Sequence, residues 1–191
     1  MMASFDDDLH HCLRVLKSGG TILYPTDTIW GIGCDATNEE AIKKVYAIKQ
    51  RSHSKAMIVL TDGENKLHDY LEEIPSQLGK LISNATNPLT IIYPKAKGLA
   101  LNLIAPDGSI AIRIVKDEFC KMLIREYGKP IVSTSANISG ENFSGLFSGV
   151  SDAIRNAVDY VVLFRQYDTS VSKPSSIVRL GLDGEIEIIR E

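Results

Sequence analysis

Apolar positions along this chain recur with two periods, one helical and one of alternate residues. Leu9, Leu13 and Leu16 fall at helical spacing, with acids at the front of the segment and Lys17 near its end. Gly19 is a natural stop for that helix. Thr21-Ile22-Leu23-Tyr24 then reads as a short strand, ended by Pro25, which has no backbone donor. A second helix is predicted after Asn38, with Glu39 and Glu40 in its first turn and Ala41, Val45 and Ile48 on its buried face. Met57–Leu60, Leu89–Tyr93 and Ile110–Ile114 read as strands, and Leu78, Leu81 and Ile82 mark a helix that ends before Asn87-Pro88. Phe119, Met122, Leu123 and Tyr127 line one face of a helix closed by Gly128 and Pro130. Ile131-Val132 is a short strand, Ala153 and Ala157 mark a short helix, and Tyr160–Leu163 is a further strand. Ile177–Leu180 and Ile186–Ile189, on either side of Asp183-Gly184, form a terminal hairpin.

Mixed order of this kind predicts an α/β fold: a single domain over residues 1–191, with a mixed open sheet and flanking helices. A length of 191 residues suits one compact unit, and 44% hydrophobic residues suffice for its core. A formal charge of −3 argues against a globally basic nucleic-acid binder but leaves room for a local basic patch. No apolar run approaches the roughly 18 residues that a membrane span needs. The acidic start, Phe5-Asp6-Asp7-Asp8, is unlike a signal peptide. Cys12, Cys34 and Cys120 are odd in number and widely spaced, which fits a reduced cytoplasm without a disulfide framework.

Chemistry concentrates in a few places. Tyr24-Pro25-Thr26-Asp27-Thr28-Ile29-Trp30-Gly31 packs hydroxyls, a carboxylate and a glycine into the exit of a strand. Loops of this form hold ligands, although Thr and Asp also serve as ordinary turn residues. From Ala41 to Thr61 there is no acid. Lys49, Arg51 and Lys55 lie past the predicted helix end, more cations than capping requires, and point to a phosphate or carboxylate site. Arg113, in Ser109-Ile110-Ala111-Ile112-Arg113, sits on the opposite pleat phase from its isoleucines. Such a residue commonly faces water; the other reading is a functional side chain. In Ser133-Thr134-Ser135-Ala136-Asn137-Ile138-Ser139-Gly140 a strand opens into hydroxyls and an amide, which reads either as a ligand edge or as a helix cap. Ser172-Lys173-Pro174-Ser175-Ser176 is polar and only weakly diagnostic.

Other chemistries fall away. Gly31-Ile32-Gly33-Cys34-Asp35-Ala36 has the spacing of a dinucleotide fingerprint, but no acid follows between Glu40 and Asp62 to take the ribose. There is no P-loop and no nucleophile elbow at Ser135, and the four histidines show no metal-ligand spacing with the cysteines.

Pro25-Thr26-Asp27-Thr28-Ile29-Trp30-Gly31, then Lys49-Gln50-Arg51 with Lys55, then Ser133 to Gly140, together resemble the YrdC-like family over roughly residues 10 to 190. Its best-known members are threonylcarbamoyl-AMP synthases. The resemblance implies a YrdC-like fold, a twisted sheet with a large concave basic face. It also implies a nucleotidyltransferase that condenses L-threonine, bicarbonate and ATP into L-threonylcarbamoyladenylate with release of pyrophosphate. A partner threonylcarbamoyl transferase complex then modifies tRNA at adenosine 37. The alternative within the family is a double-stranded RNA- or tRNA-binding protein without synthase activity.

Carried over by motif, Thr28, Arg113 and Ser133 would hold threonine, with Ser175 or Ser176 closing that pocket. Lys49, Arg51 and Lys55 would grip ATP phosphates, Lys49 and Arg51 as electrostatic stabilisers. Ser109, Ser135, Asn137, Ser144 and Arg190 would lie near the nucleotide. Magnesium (Mg2+) would arrive with ATP as a substrate complex, with no protein-only metal site. Leu60 stands where some members have a histidine, and Phe143 where a serine is frequent, with Ser144 adjacent. The resemblance is to the short bacterial form, without an extra C-terminal domain.

Overall fold

The computed structural model describes residues 5–50, 57–170 and 173–191. Arg51 and Lys55 lie outside them. The first helix, α1 (Phe5–Lys17), buries Leu9, Leu13 and Leu16, the stripe that its spacing predicts, with Asp8 and Cys12 beside them. It leads into β1 (Ile22–Tyr24), the Pro25–Trp30 loop and β2 (Gly31–Gly33). Helix α2 (Glu39–Ile48) is capped by Asn38, whose side chain accepts the backbone N–H groups of Glu40 and Ala41. Then come β3 (Ile58–Thr61), a 3-10 turn at Glu64–Lys66, α3 (Leu67–Tyr70), α4 (Leu78–Asn84), β4 (Leu89–Tyr93) and β5 (Ile110–Ile114). Helix α5 (Glu118–Tyr127) starts on the Asp117 cap and stops at Gly128, whose φ of 76° is the left-handed conformation that glycine adopts without strain. The chain continues through β6 (Ile131–Ser135), α6 (Asp152–Ala157), β7 (Tyr160–Val161), β8 (Ser176–Leu180) and β9 (Ile186–Arg190).

The nine strands of the described residues join one mixed sheet in the order β7-β1-β2-β6-β3-β5-β4-β8-β9. The pairs β1/β7, β3/β5 and β4/β8 run parallel and the other neighbours antiparallel. Helix α5 packs on β3 and on α1, and Leu9, Leu16, Ile112, Phe119, Leu123 and Val132 share one apolar core. Among the described residues no helix is long and apolar enough to cross a membrane. Cys12, Cys34 and Cys120 are all buried and unpaired.

Three segments differ from the expectations. Strand β2 is absent from the periodicity reading, because Gly-Ile-Gly has little intrinsic strand preference. Tertiary crowding explains it. A Cβ at Gly33 would stand 2.6 Å from the Tyr24 ring and 2.7 Å from the Val132 carbonyl, so only glycine lets β2 slot between β1 and β6. Strand β6 extends through Ser133 to Ser135, since its polar half pairs with β2 and β3 (Gly31 with Ser135, Ile58 with Ser133). The segment from Glu64 to Tyr70 is helical, although its sequence shows little period.

Gly33→Ala tests that constraint. Alanine would ordinarily favour the folded state by limiting the unfolded chain, by up to about 1 kcal/mol. Here overpacking against backbone outweighs that gain, and the variant should lose roughly 1–3 kcal/mol in urea unfolding. An unchanged midpoint would mean that the strands separate cheaply.

Candidate functional site

The strand register sorts side chains onto two faces. Ile110 and Ile112 of β5 join Val59, Ile91, Val132 and Val178 in the core under the helices. The alternate residues Ala111 and Arg113 lie in line with Ile58 and Leu60 of β3 and with Ile92 and Thr90 of β4. On this second face the structure opens a cleft of about 360 Å³. Its floor is Ile58, Ala111, Arg113, Ile92 and Ile177, and its rim includes Thr28, Gly31, Ser133, Ser135, Ser175 and Arg190. The three segments that the sequence singles out for hydroxyls therefore meet over one sheet face.

Arg113 is only 3% exposed, so it does not face water as such a strand position commonly would. Its pleat phase takes it off the helix-covered face, and the Pro25–Trp30 loop supplies its counter-charge: Nη2 lies 3.0 Å from Asp27 Oδ1. The contact is a charge pair off the N–H direction, for neither Asp27 Oδ1 nor Arg113 Nε has a hydrogen-bond partner among the described residues. Nε is shielded from solvent yet unpartnered, so the guanidinium at the cleft keeps hydrogen-bonding capacity that the described residues do not fill. Asp27 Oδ2 accepts the Lys116 backbone N–H at 3.2 Å.

The loop itself is set by Thr26. Its hydroxyl donates to the Ile29 carbonyl at 2.8 Å and accepts the Thr28 N–H at 3.1 Å. The Thr26 and Thr28 hydroxyls are 3.0 Å apart. With the Thr26 proton committed to Ile29, Thr28 is the donor of that pair, which leaves lone pairs on Thr28 Oγ1 for a ligand N–H or O–H. The Ser133 hydroxyl reaches toward Gly31, where a Cβ would sit 3.0 Å from its Oγ, so the glycine keeps the mouth open.

On the far wall Ser175, 2% exposed, shares a 2.7 Å hydrogen bond with Thr90, a residue without any sequence signal. Thr90 is the cross-strand neighbour of Arg113. Arg190 donates from Nε and Nη2 to the Ser175 carbonyl at 3.1 and 2.7 Å. Desolvation, and then the charge of Arg113, lower the Arg190 pKa from its ordinary value. Ser176 falls on the opposite pleat phase from Ile177 and is not among the cleft residues, so of the two candidate serines Ser175 faces the cavity.

The remaining candidates are more dispersed. Lys49 is 1% exposed, and its ammonium donates to the carbonyls of Ser135 and Asn137 at 2.5 and 2.7 Å, beneath the β6 exit rather than in the cleft. The Asn137 amide donates to the Glu141 carbonyl at 2.7 Å, holding the following turn. Ser109 lines an adjoining cleft of about 380 Å³, which shares Ile92 and Ala111 with the first, and its hydroxyl donates to Asp107 at 2.6 Å. Ser144 is exposed, and its hydroxyl accepts the Leu146 N–H. Asp27 and Thr90 are the site residues to which the sequence assigns no role. Asp27 was legible as part of the loop motif, whereas Thr90 was not legible at all.

Known proteins share this fold. A family model, Sua5/YciO/YrdC, described as "Telomere recombination", matches residues 14–191. A protein of Pseudoalteromonas translucida named threonylcarbamoyl-AMP synthase is 38% identical over 133 residues, covering 68% of this chain and 71% of its own. One of the same name from Vibrio vulnificus is 31% identical over 160 residues, covering 82% and 86%. Among solved structures, a variant of P. abyssi Sua5 superposes with a TM-score of 0.86 at 22% identity, covering 98% of this chain and 57% of that one. P. abyssi Sua5 complexed with L-threonine gives 0.81 at 21% identity, covering 94% and 52%. This chain thus spans just over half the length of the P. abyssi protein.

Lys49 braces the β6 exit through the Ser135 and Asn137 carbonyls. Lys49→Met, similar in length, leaves two part-buried carbonyls without this donor and should cost about 1–3 kcal/mol of unfolding free energy. Unchanged stability in urea would instead return its charge to ligand binding.

Proposed function

Because the chain belongs to the Sua5/YciO/YrdC family, we propose that it is a threonylcarbamoyl-AMP synthase, a nucleotidyltransferase that joins L-threonine, bicarbonate and ATP and releases pyrophosphate. The observation that carries this reading is Arg113, a buried guanidinium whose Nε has no partner among the described residues, in a cleft whose other polar side chains are hydroxyls and the Arg190 guanidinium. A hydroxy-amino acid matches such a set. Its carboxylate pairs with Arg113, while Thr28, Ser133 and Ser175 exchange hydrogen bonds with its amine and hydroxyl. The P. abyssi relative complexed with L-threonine supports the same ligand.

The chemistry balances without a protein nucleophile. The threonine amine adds to carbon dioxide derived from bicarbonate and loses a proton, which gives a carbamate. A carbamate oxygen then forms a bond to the α-phosphorus of ATP, and the bond to the β-phosphate oxygen breaks to release pyrophosphate. Alignment of these two anions is the main task, and nearby cations offset the charge that accumulates. Arg190 lies at the rim for that role, and Arg51 and Lys55 follow it from the sequence pattern. No carboxylate is among the cleft residues, which suits magnesium arriving on the ATP phosphates. The nucleotide would extend past Ile92 and Ala111 toward Ser109. The product would pass, in the cytoplasm, to a transferase complex acting on tRNA. The synthase names of the relatives favour this reading over RNA binding alone.

Purified protein should release pyrophosphate from ATP only with both L-threonine and bicarbonate present. Arg113→Lys keeps the charge but loses the planar fork, and should raise the threonine KM roughly ten- to hundredfold. Turnover that ignores threonine would overturn the proposal.

A further inference from the structure

We infer that Asp27 is a positioning residue for threonine recognition, holding the Arg113 guanidinium and the Thr28 hydroxyl as one preset unit. The inference rests on the proposed function for its ligand. Side-chain exposure is 8% for Asp27 and 4% for Arg113, and the two approach to 3.0 Å. They come from distant parts of the chain, a loop after β1 and the last residue but one of β5. Asp27 is not among the cleft residues, so it acts through its neighbours rather than on a ligand.

Each carboxylate oxygen has a separate task. Oδ2 takes the backbone N–H of Lys116, just past the end of β5, and fixes the carboxylate against that strand. Oδ1 faces Nη2 of Arg113 and restrains one side of the guanidinium by charge. Nε remains unpartnered among the described residues, so the guanidinium, which lines the cleft, keeps donor capacity for a ligand carboxylate. On the next residue, the hydrogen-bonded Thr26 fixes Thr28 with its acceptor lone pairs available. A free arginine side chain loses rotamer freedom when it is ordered. Asp27 meets that loss during folding rather than during binding, which is how preorganisation raises affinity.

The opposite effect is equally physical. A buried negative charge beside Arg113 competes with the ligand carboxylate, so removing it could tighten binding. The two effects have opposite signs, and a single variant separates them.

The experiment compares wild type, Asp27→Asn, Arg113→Lys and the double variant by calorimetry with L-threonine and by pyrophosphate release. Asp27→Asn should raise the threonine KM roughly ten- to hundredfold while the ATP KM stays as in wild type. In the Arg113→Lys background the same change should add nothing further, because its effect passes through the guanidinium. A lower threonine KM, an unaltered one, or an equal rise in both KM values would overturn the positioning role. Wild-type protein that binds no threonine would overturn the functional reading together with this one. Should Asp27→Asn fold poorly, nitrogen NMR of the ligand-free wild type decides. Slowed rotation of the Arg113 guanidinium supports the inference, and free rotation sinks it.

Discussion

Gly33 lets β2 lie between Tyr24 and Val132 at a separation that leaves no room for a Cβ. That close approach places β2 between β1 and β6, and every feature of the cleft depends on it. The loop after Pro25 is carried beside the polar half of β6, with Gly31 in register with Ser135. Two hydroxyl-rich segments, far apart in sequence, then face the same cavity. A wider β2 would separate them and leave Thr28 and Ser133 in different environments.

Charge burial is the second constraint. Lys49, Arg113 and Arg190 carry the same sign, yet each is neutralised differently. Lys49 is solvated by the carbonyls of Ser135 and Asn137 and so ties the β6 exit to the end of α2. Arg113 relies on Asp27. Arg190 binds the Ser175 carbonyl from an edge strand that is open to water. A buried cation without such a partner is strongly destabilising, so these contacts are requirements of the fold as well as features of the site. What distinguishes Arg113 is its incomplete satisfaction, for Nε has no acceptor among the described residues.

The resulting cleft holds cations and hydroxyls without an acid on its surface. Such a lining aligns anions and stabilises displaced phosphate, and it offers no base or nucleophile of its own. The chemistry proposed for the site asks for that and little more, since the reactants bring both the nucleophilic carbamate and the leaving group.

Much of this was legible in the sequence because it is local. Helical spacing in α1, α2 and α5, the start at Asn38, the Gly128 stop and the alternation in β4 and β5 all follow from near neighbours along the chain. The hydroxyl-rich segments, and Arg113 on the phase opposite its isoleucines, were also visible. Pairing was not. Gly31–Gly33 becomes a strand only because two other strands flank it, and Thr90 becomes part of the site only because β4 runs beside β5. Lys49 looked like its basic neighbours, since nothing local reveals that its ammonium reaches carbonyls more than eighty residues away. Composition and spacing thus determined the elements and the chemical groups available. The tertiary structure decided which groups face the cavity, which are consumed by the fold, and which charge keeps an open edge, because long-range pairing and burial, unlike period, depend on residues that sequence separation hides.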